Sequence, residues 1–234
     1  MTRPRGRGLA SIFAAVFVLN QAAVPVAMAA TQCSSVAVTV SADEAALTER
    51  ICAAAGRAVD LMAACGITQT EPVQIEVIDG LNPDHPDCAG IFHCSEARIE
   101  LVAPDYLTEA LGADHPFIEI PMDPFYDSLV AHEMAHALAY QTRQGPLKST
   151  SATEYIAYAM QVSSLPEDIR AAFLSNRSVT EPVTPMALNE VILAFSPADF
   201  AVRAWKHFQA PENGCRFIQR LLDGENLLPN AVFR

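Results

Sequence analysis

The stretch that decides the fold reads His132-Glu133-Met134-Ala135-His136. Residues i and i+4 lie on the same face of an α-helix, so the imidazoles of His132 and His136 can reach one metal ion. Glu133 then points toward a water molecule bound to that metal. This H-E-x-x-H pattern predicts two zinc ligands, His132 and His136, and a general base, Glu133.

The flanks of this pattern are apolar, and Glu133 is the only charged residue between positions 129 and 138. A zinc-binding helix needs such a setting because the metal is activated in a low-dielectric pocket. Leu129, Met134 and Leu138 recur at helical spacing, which predicts a buried amphipathic helix over about 126–141. The alternative is a hydrogen-bonded core cluster, or the remnant of an inactive site.

The ends of this helix also have sequence signals. Asp123 or Asp127 is expected to cap its start, because a short carboxylate accepts hydrogen bonds from the first free backbone amides. Arg143 and Gly145 are expected to mark its end.

The third metal ligand lies outside the pattern. Metzincins have a glycine and a third histidine after H-E-x-x-H, and residues 137–142 contain neither. A second helix is predicted to begin near Ser151, and its Glu154 follows His136 by 18 residues, which allows a return to the same pocket. Two histidines and a glutamate form a known catalytic zinc site with an open fourth position.

Two alternatives to Glu154 as ligand stay open. The sequence Ser151-Ala152-Thr153-Glu154 also fits a capping box, in which the glutamate binds the Ser151 amide. Glu190 is a second candidate ligand, at a longer spacing from the histidines.

The helical pattern followed by a glutamate on a second helix resembles the gluzincin zinc metallopeptidases. The resemblance covers about 73–158 and implies that His132, His136 and Glu154 bind Zn²⁺ while Glu133 is the general base. It also implies a zincin-like fold and a peptide or protein substrate. Several gluzincins place an aspartate one turn after the glutamate, where it supports a ligating histidine. This chain has Tyr158 there, so the residue that supports the histidine is open.

A hydrolase of this kind needs a group that stabilises the developing oxyanion. Tyr155, Tyr158 and His207 are candidates, and packing in the core is the alternative role for each. Two functions are therefore considered. The first is an exported zinc metallopeptidase-like hydrolase, and the second is a catalytically inactive zincin-fold binding protein.

The N-terminus predicts export. Three arginines at positions 3, 5 and 7 precede an apolar stretch over 9–26, and Ala27-Met28-Ala29 fits a cleavage site, so 1–29 is interpreted as a signal peptide. One domain over 30–234 is expected after cleavage, as a monomer without a membrane anchor in the periplasm or outside the cell. Cleavage removes three arginines and no acidic residue, which takes the net charge from −12 to −15. Such a charge argues against nucleic-acid binding.

All six cysteines follow the signal peptide, and an even number in an exported chain predicts up to three disulfides. Cys88 and Cys94 are close enough in sequence for a local bridge. Cys52 and Cys65 are predicted to lie on one helix, about 20 Å apart, and are expected to pair elsewhere, with Cys33, with Cys215 or with each other's neighbours.

The order of elements predicts an α+β fold with a small mixed or antiparallel sheet packed on the metal-binding helix. Strands are expected over 36–40, 73–78, 90–93 and 97–102. A helix that opens with a Ser41–Glu44 capping box and stops at Gly66 separates the first two. The C-terminal part is predicted to be helical, near 166–174, 186–195, 197–209 and 215–222. The 90–102 region is the candidate edge strand along a substrate cleft, or else an ordinary hairpin against the first helix.

Overall fold

The computed structural model describes residues 30–80, 82–84, 88–111, 117 and 119–229. The predicted signal peptide, 1–29, lies outside the described residues, and export stays a prediction. None of the described helices is long and apolar enough to cross a membrane.

A small mixed sheet forms one layer of the fold. Its strands are β1 (Thr31–Gln32), β2 (Val38–Ser41), β3 (Val73–Ile78), β4 (Gly90–His93) and β5 (Arg98–Val102). In the described part of the chain the strand order is β1-β2-β3-β5-β4, with β2, β3 and β5 parallel and both outer strands antiparallel to their neighbours. In β3, Val73 and Ile75 are buried while Gln74 and Glu76 are exposed, as alternation requires.

The helices pack on the sheet and on each other. They are α1 (Ala45–Ala64), α2 (Pro104–Leu111), α3 (Met122–Arg143), α4 (Thr150–Ser164), α5 (Glu167–Ser175), α6 (Glu190–Phe195), α7 (Pro197–Gln209) and α8 (Gly214–Leu222), with a 3-10 turn at Pro185–Ala187. The α+β class is therefore confirmed. Helix α2 was not predicted, because Pro104 was taken only as the end of a strand.

Helix α3 occupies the centre of the molecule. It packs against α1 and α4 and lies beside strands β4 and β5. Its middle turns are buried on every side, including the polar residues Ser128, His132 and Glu133. The prediction of a buried helix is confirmed. The prediction that this helix is amphipathic is wrong, because neighbouring elements cover all of its faces.

The predicted caps of two helices are wrong. Helix α3 begins at Met122 with Pro121 at the N-cap, so Asp123 and Asp127 lie inside the helix, where their carboxylates bind Arg50 of α1. Helix α1 likewise lacks the predicted capping box, since Ser41 is the last residue of β2 and the N-cap Glu44 makes no side-chain hydrogen bond.

Two disulfides hold the outer parts of the fold. Cys33 is bonded to Cys52, and Cys65 is bonded to Cys215, which matches the expected partners. The predicted bridge between Cys88 and Cys94 is wrong, and both thiols are exposed. Strand β4 lies between these two residues in the sequence, and its extended backbone keeps its two ends apart.

Candidate metal centre

Two neighbouring helices bring three ligating side chains together. His132 and His136 lie one turn apart on α3, and Glu154 lies on the first part of α4. The two Nε2 atoms of the histidines are 3.1 Å apart. The carboxylate oxygens of Glu154 lie 3.4 Å from Nε2 of His132 and 3.5 Å from Nε2 of His136.

These distances fit a tetrahedral site. At metal–ligand bonds of about 2.0–2.2 Å, the corners of a tetrahedron are roughly 3.3–3.6 Å apart. The two histidine nitrogens are 3.1 Å apart, and each lies within this range of one Glu154 oxygen, Oε2 for His132 and Oε1 for His136. The three residues can therefore hold a metal ion, and they line the cleft.

The described residues show neither the capping box at Ser151 nor Glu190 as a third member of this group. Ser149, and not Ser151, caps α4, and its hydroxyl accepts a hydrogen bond from the Ala152 amide at 3.2 Å. The glutamate is therefore not used in a capping box. Among the described residues Glu190 does not belong to the metal-binding group. It lies at the first turn of α6, where it lines a neighbouring pocket with Glu154.

The hydrogen-bond partner of a ligating histidine is Gln161. Its Oε1 lies 2.9 Å from Nδ1 of His132, on the side of the ring opposite the metal-binding nitrogen. Gln161 follows Glu154 by seven residues, so both lie on the face of α4 that meets α3. Gln161 was not among the predicted site residues, and its spacing of seven residues from Glu154 is the one sequence signal that could have indicated it.

The predicted general base lies between the metal group and the edge strand. Glu133 is only 4% exposed, and its carboxylate accepts a hydrogen bond from the backbone amide of Phe92 in β4. Gly90 of the same strand is so close that an added Cβ would lie 2.8 Å from Glu133 Oε1. The outer edge of β4 therefore fixes the position of this carboxylate.

Comparison with known proteins identifies the family of the chain. The profile of a family described as a family of unknown function, DUF6639, matches residues 38–231. The chain belongs to this family. No curated protein and no solved structure matches it. The matched span includes the sheet strands from β2 to β5 and both helices that carry the metal-binding group of this DUF6639 protein.

Burial changes the acid–base properties of the site in this DUF6639 protein. It raises the pKa of Glu133 to about 7; His132 and the Phe92 amide oppose the rise, and Glu154 adds to it. Burial also lowers the pKa of His136 to about 4, with Glu154 opposing and His132 adding to the shift. At neutral pH His136 is therefore neutral and offers a lone pair to a metal.

Glu154 stays ionised despite its burial. Burial alone would raise its pKa, but the interactions with His136 and His132 outweigh that effect and lower it. Burial would likewise lower the pKa of His132, but the hydrogen bond and the charge of Glu154 raise it. A carboxylate that stays charged in a buried site is suited to bind a cation.

The metal group of the DUF6639 protein opens into a cleft of about 590 Å³. One wall is the edge strand β4, with Gly90 and Phe92 in the lining. The facing wall is apolar and includes Phe117, Phe125 and Tyr158. The candidate edge strand thus lines the cleft as expected.

The three candidate oxyanion stabilisers are in different places. Tyr158 lines the cleft, and its ring packs edge-on against His132 with centroids 4.6 Å apart. The Tyr155 hydroxyl instead lies 2.9 Å from Nδ1 of His207, in a buried contact between α4 and α7. The structure does not bring Tyr155 or His207 to the cleft, and both pack in the core with Phe217.

Proposed function

We propose that this protein is an exported zinc metallopeptidase-like hydrolase of the gluzincin type. One observation carries the proposal: two histidine nitrogens and a carboxylate lie at tetrahedral separations beside a buried glutamate. A small sheet beside the H-E-x-x-H helix and a glutamate on the next helix support the zincin-like interpretation.

Zn²⁺ suits this donor set better than other common ions. Two imidazoles and one carboxylate are typical catalytic zinc ligands, whereas Mg²⁺ and Ca²⁺ prefer oxygen ligands alone. Zinc, when bound, lowers the pKa of a coordinated water molecule toward neutrality and polarises a carbonyl group. His132, His136 and Glu154 would hold it.

Glu133 is suited to the proton transfers of peptide hydrolysis. As the general base it accepts a proton from the attacking water and then delivers that proton to the leaving amine. Both steps are easiest when the pKa of the base lies near the working pH, and burial places the pKa of Glu133 at about 7. The amide of Phe92 holds the carboxylate in place.

Tyr158 is the residue best placed to stabilise the oxyanion. Burial raises the pKa of its phenol, and the negative charges of Glu154 and Glu133 raise it further. The hydroxyl therefore keeps its proton and can donate a hydrogen bond to a carbonyl oxygen in the cleft. Such a donor contributes most where water is excluded, as it is beside this largely buried ring.

The edge of β4 offers a binding mode for the substrate. This strand is the last one of the described sheet, and it lines the cleft beside Glu133. An extended peptide can add to such an edge through backbone hydrogen bonds. Peptides are therefore the substrate class that the cleft fits best.

The Glu133→Gln variant tests this proposal, since the amide keeps the shape of the side chain but cannot accept the proton. We expect about one zinc per chain in both proteins and peptide hydrolysis about 100- to 10,000-fold slower in the variant. Zinc content is measured by elemental analysis and hydrolysis with a mixed peptide library. Equal hydrolysis by both proteins would contradict the proposal. Zinc binding without any hydrolysis would favour the alternative function, a catalytically inactive zincin-fold binding protein.

A further inference from the structure

We propose that Gln161 and Ser128 form a hydrogen-bond relay that fixes His132 in the tautomer whose Nε2 is free to bind the metal. The inference deepens the proposed function, because it concerns the same metal site. It makes Gln161 and Ser128 positioning residues, which act through His132.

The relay begins at a group that can only accept a hydrogen bond. The backbone carbonyl of Phe125 has no proton, so Ser128 Oγ, 2.7 Å away, donates its hydroxyl proton to it. A serine hydroxyl has one proton. Its oxygen can therefore act only as an acceptor toward any other partner.

The second step fixes the orientation of the Gln161 amide. Gln161 lies 3.3 Å from Ser128 Oγ, which is already committed as an acceptor, so the amide nitrogen must face it as donor. The amide oxygen then faces the opposite way, toward Nδ1 of His132 at 2.9 Å. A reversed amide would place its oxygen against the oxygen of Ser128, with no proton between the two acceptors.

The third step fixes the imidazole. Because Gln161 Oε1 can only accept, Nδ1 of His132 carries the proton and Nε2 of the neutral ring keeps its lone pair. That lone pair points to the space shared with Nε2 of His136 at 3.1 Å and Oε2 of Glu154 at 3.4 Å. A proton between these atoms relieves the repulsion of their lone pairs, and bound Zn²⁺ would take the place of that proton.

Burial makes the relay difficult to replace. Ser128 is 1% exposed, Gln161 is 3% exposed and His132 is 8% exposed, so solvent water has little access to their polar atoms. Removing the Gln161 amide would leave Nδ1–H of His132 without its partner and would free the ring to rotate or change tautomer. The relay therefore holds the ligand in its metal-binding form before the metal arrives.

The test is zinc affinity, measured by competition with a chelator at pH 7 for wild type, Gln161→Met and Gln161→Glu. We expect Gln161→Met to bind zinc about 10- to 100-fold more weakly, as is typical when such a supporting group is lost. Gln161→Glu again offers an acceptor to Nδ1–H, and its affinity should be within several-fold of wild type. Equal affinity of wild type and Gln161→Met would overturn the relay.

A control variant separates the relay from a general effect of losing a glutamine. Gln141→Met removes a glutamine near the end of α3 that binds the backbone at Thr70 and Glu71, and its zinc affinity should equal that of wild type. Nitrogen NMR of the wild-type protein without metal, at a pH where the ring is neutral, provides a second readout that needs no variant. A proton on Nδ1 of His132 supports the relay, and a proton on Nε2 with Nδ1 unprotonated overturns it.

The result also distinguishes the relay from the proposed function. If wild-type protein binds no zinc, the proposed function fails. If wild type and Gln161→Met bind zinc equally, the relay alone fails, because peptide hydrolysis does not enter the measurement.

Discussion

Gly90 allows strand β4 to approach Glu133, the proposed general base, closely. An added Cβ would lie 2.8 Å from Oε1 and 2.9 Å from Cγ of Glu133, closer than side-chain contacts normally allow. The added Cβ would also lie 3.0 Å from Cδ2 of Leu101 on the neighbouring strand. The need for glycine therefore comes from the close approach of β4 to Glu133, and no turn is involved.

We expect Gly90→Ala to displace the Glu133 carboxylate and to lower kcat/KM for peptide hydrolysis about 100-fold, because a shift near 1 Å is enough to misplace a reacting group. Zinc content should not change, since the ligands lie on other residues. The control is Gly56→Ala in α1, where the new methyl meets only Ser35 Oγ at 3.4 Å. Full activity in Gly90→Ala would show that Glu133 does not need this contact.

Among individual residues, the sequence best predicts those that a local pattern brings together. His132, Glu133 and His136 are defined by one helical turn, so their spacing was enough to place them together. Gly90 and Gln161 act through partners on other elements. No local pattern includes those partners, and only the packing of β4 and α4 against α3 brings them together.

Among the elements, strand β5 contains the most strongly perturbed carboxylate outside the cleft. Burial would raise the pKa of Glu100, but hydrogen bonds from Arg98 and Asn82 outweigh it and lower the pKa from 4.5 to about 2. A lowered folded-state pKa means that the carboxylate stabilises the fold above pH 4.5. That stabilisation is lost as the pH falls through about 2.

Glu100→Gln is therefore expected to lower the free energy of unfolding by about 1–2 kcal/mol at pH 7, less than the full pKa shift implies because solvent screens part of the pair. The difference from wild type should shrink between pH 4.5 and pH 2. Denaturant unfolding at several pH values measures it. Glu96→Gln is the control, because Glu96 binds the same Arg98 but its side chain is 55% exposed. A pH-independent difference for Glu100→Gln would contradict this assignment.

Helix boundaries show where local signals are sufficient. The bounds of α7, Pro197–Gln209, agree with the prediction, because a proline at its first turn and an apolar stripe define it locally. Helix α6 begins at Glu190, later than predicted, because Asn189 caps it by accepting hydrogen bonds from two backbone amides. The predicted caps of α3 are wrong because the helix begins at Met122, before both aspartates, whose carboxylates bind Arg50 of another helix.

At the scale of the whole molecule, the disulfide between Cys65 and Cys215 joins residues that lie farther apart in the sequence than those of the other disulfide. It joins the end of α1 to α8 across 150 residues, whereas the bond between Cys33 and Cys52 closes 19. Six cysteines allow 15 pairings if all are bonded, so sequence alone left the partners open. The fold decides them, because it places Cys33 beside the middle of α1 and the end of α1 beside the start of α8.

Chain entropy predicts that the longer loop gives the larger stabilisation, about 5 kcal/mol for the Cys65–Cys215 bond and about 3 kcal/mol for the Cys33–Cys52 bond. Replacing both members of each pair with alanine should therefore lower the Tm more for Cys65 and Cys215. Calorimetry of the two double variants measures this. A larger loss for the Cys33 and Cys52 variant would show that strain or residual unfolded structure dominates over loop length.

The most direct test of the zinc site is X-ray absorption spectroscopy of the zinc-loaded wild-type protein. With His132, His136 and Glu154 as ligands, the spectrum should show two imidazole nitrogens and oxygen ligands at about 2.0–2.2 Å, with no sulfur. Cys88 and Cys94 line the same cleft and provide the competing donors. A sulfur shell at about 2.3 Å, or a spectrum without imidazole, would contradict the proposed site.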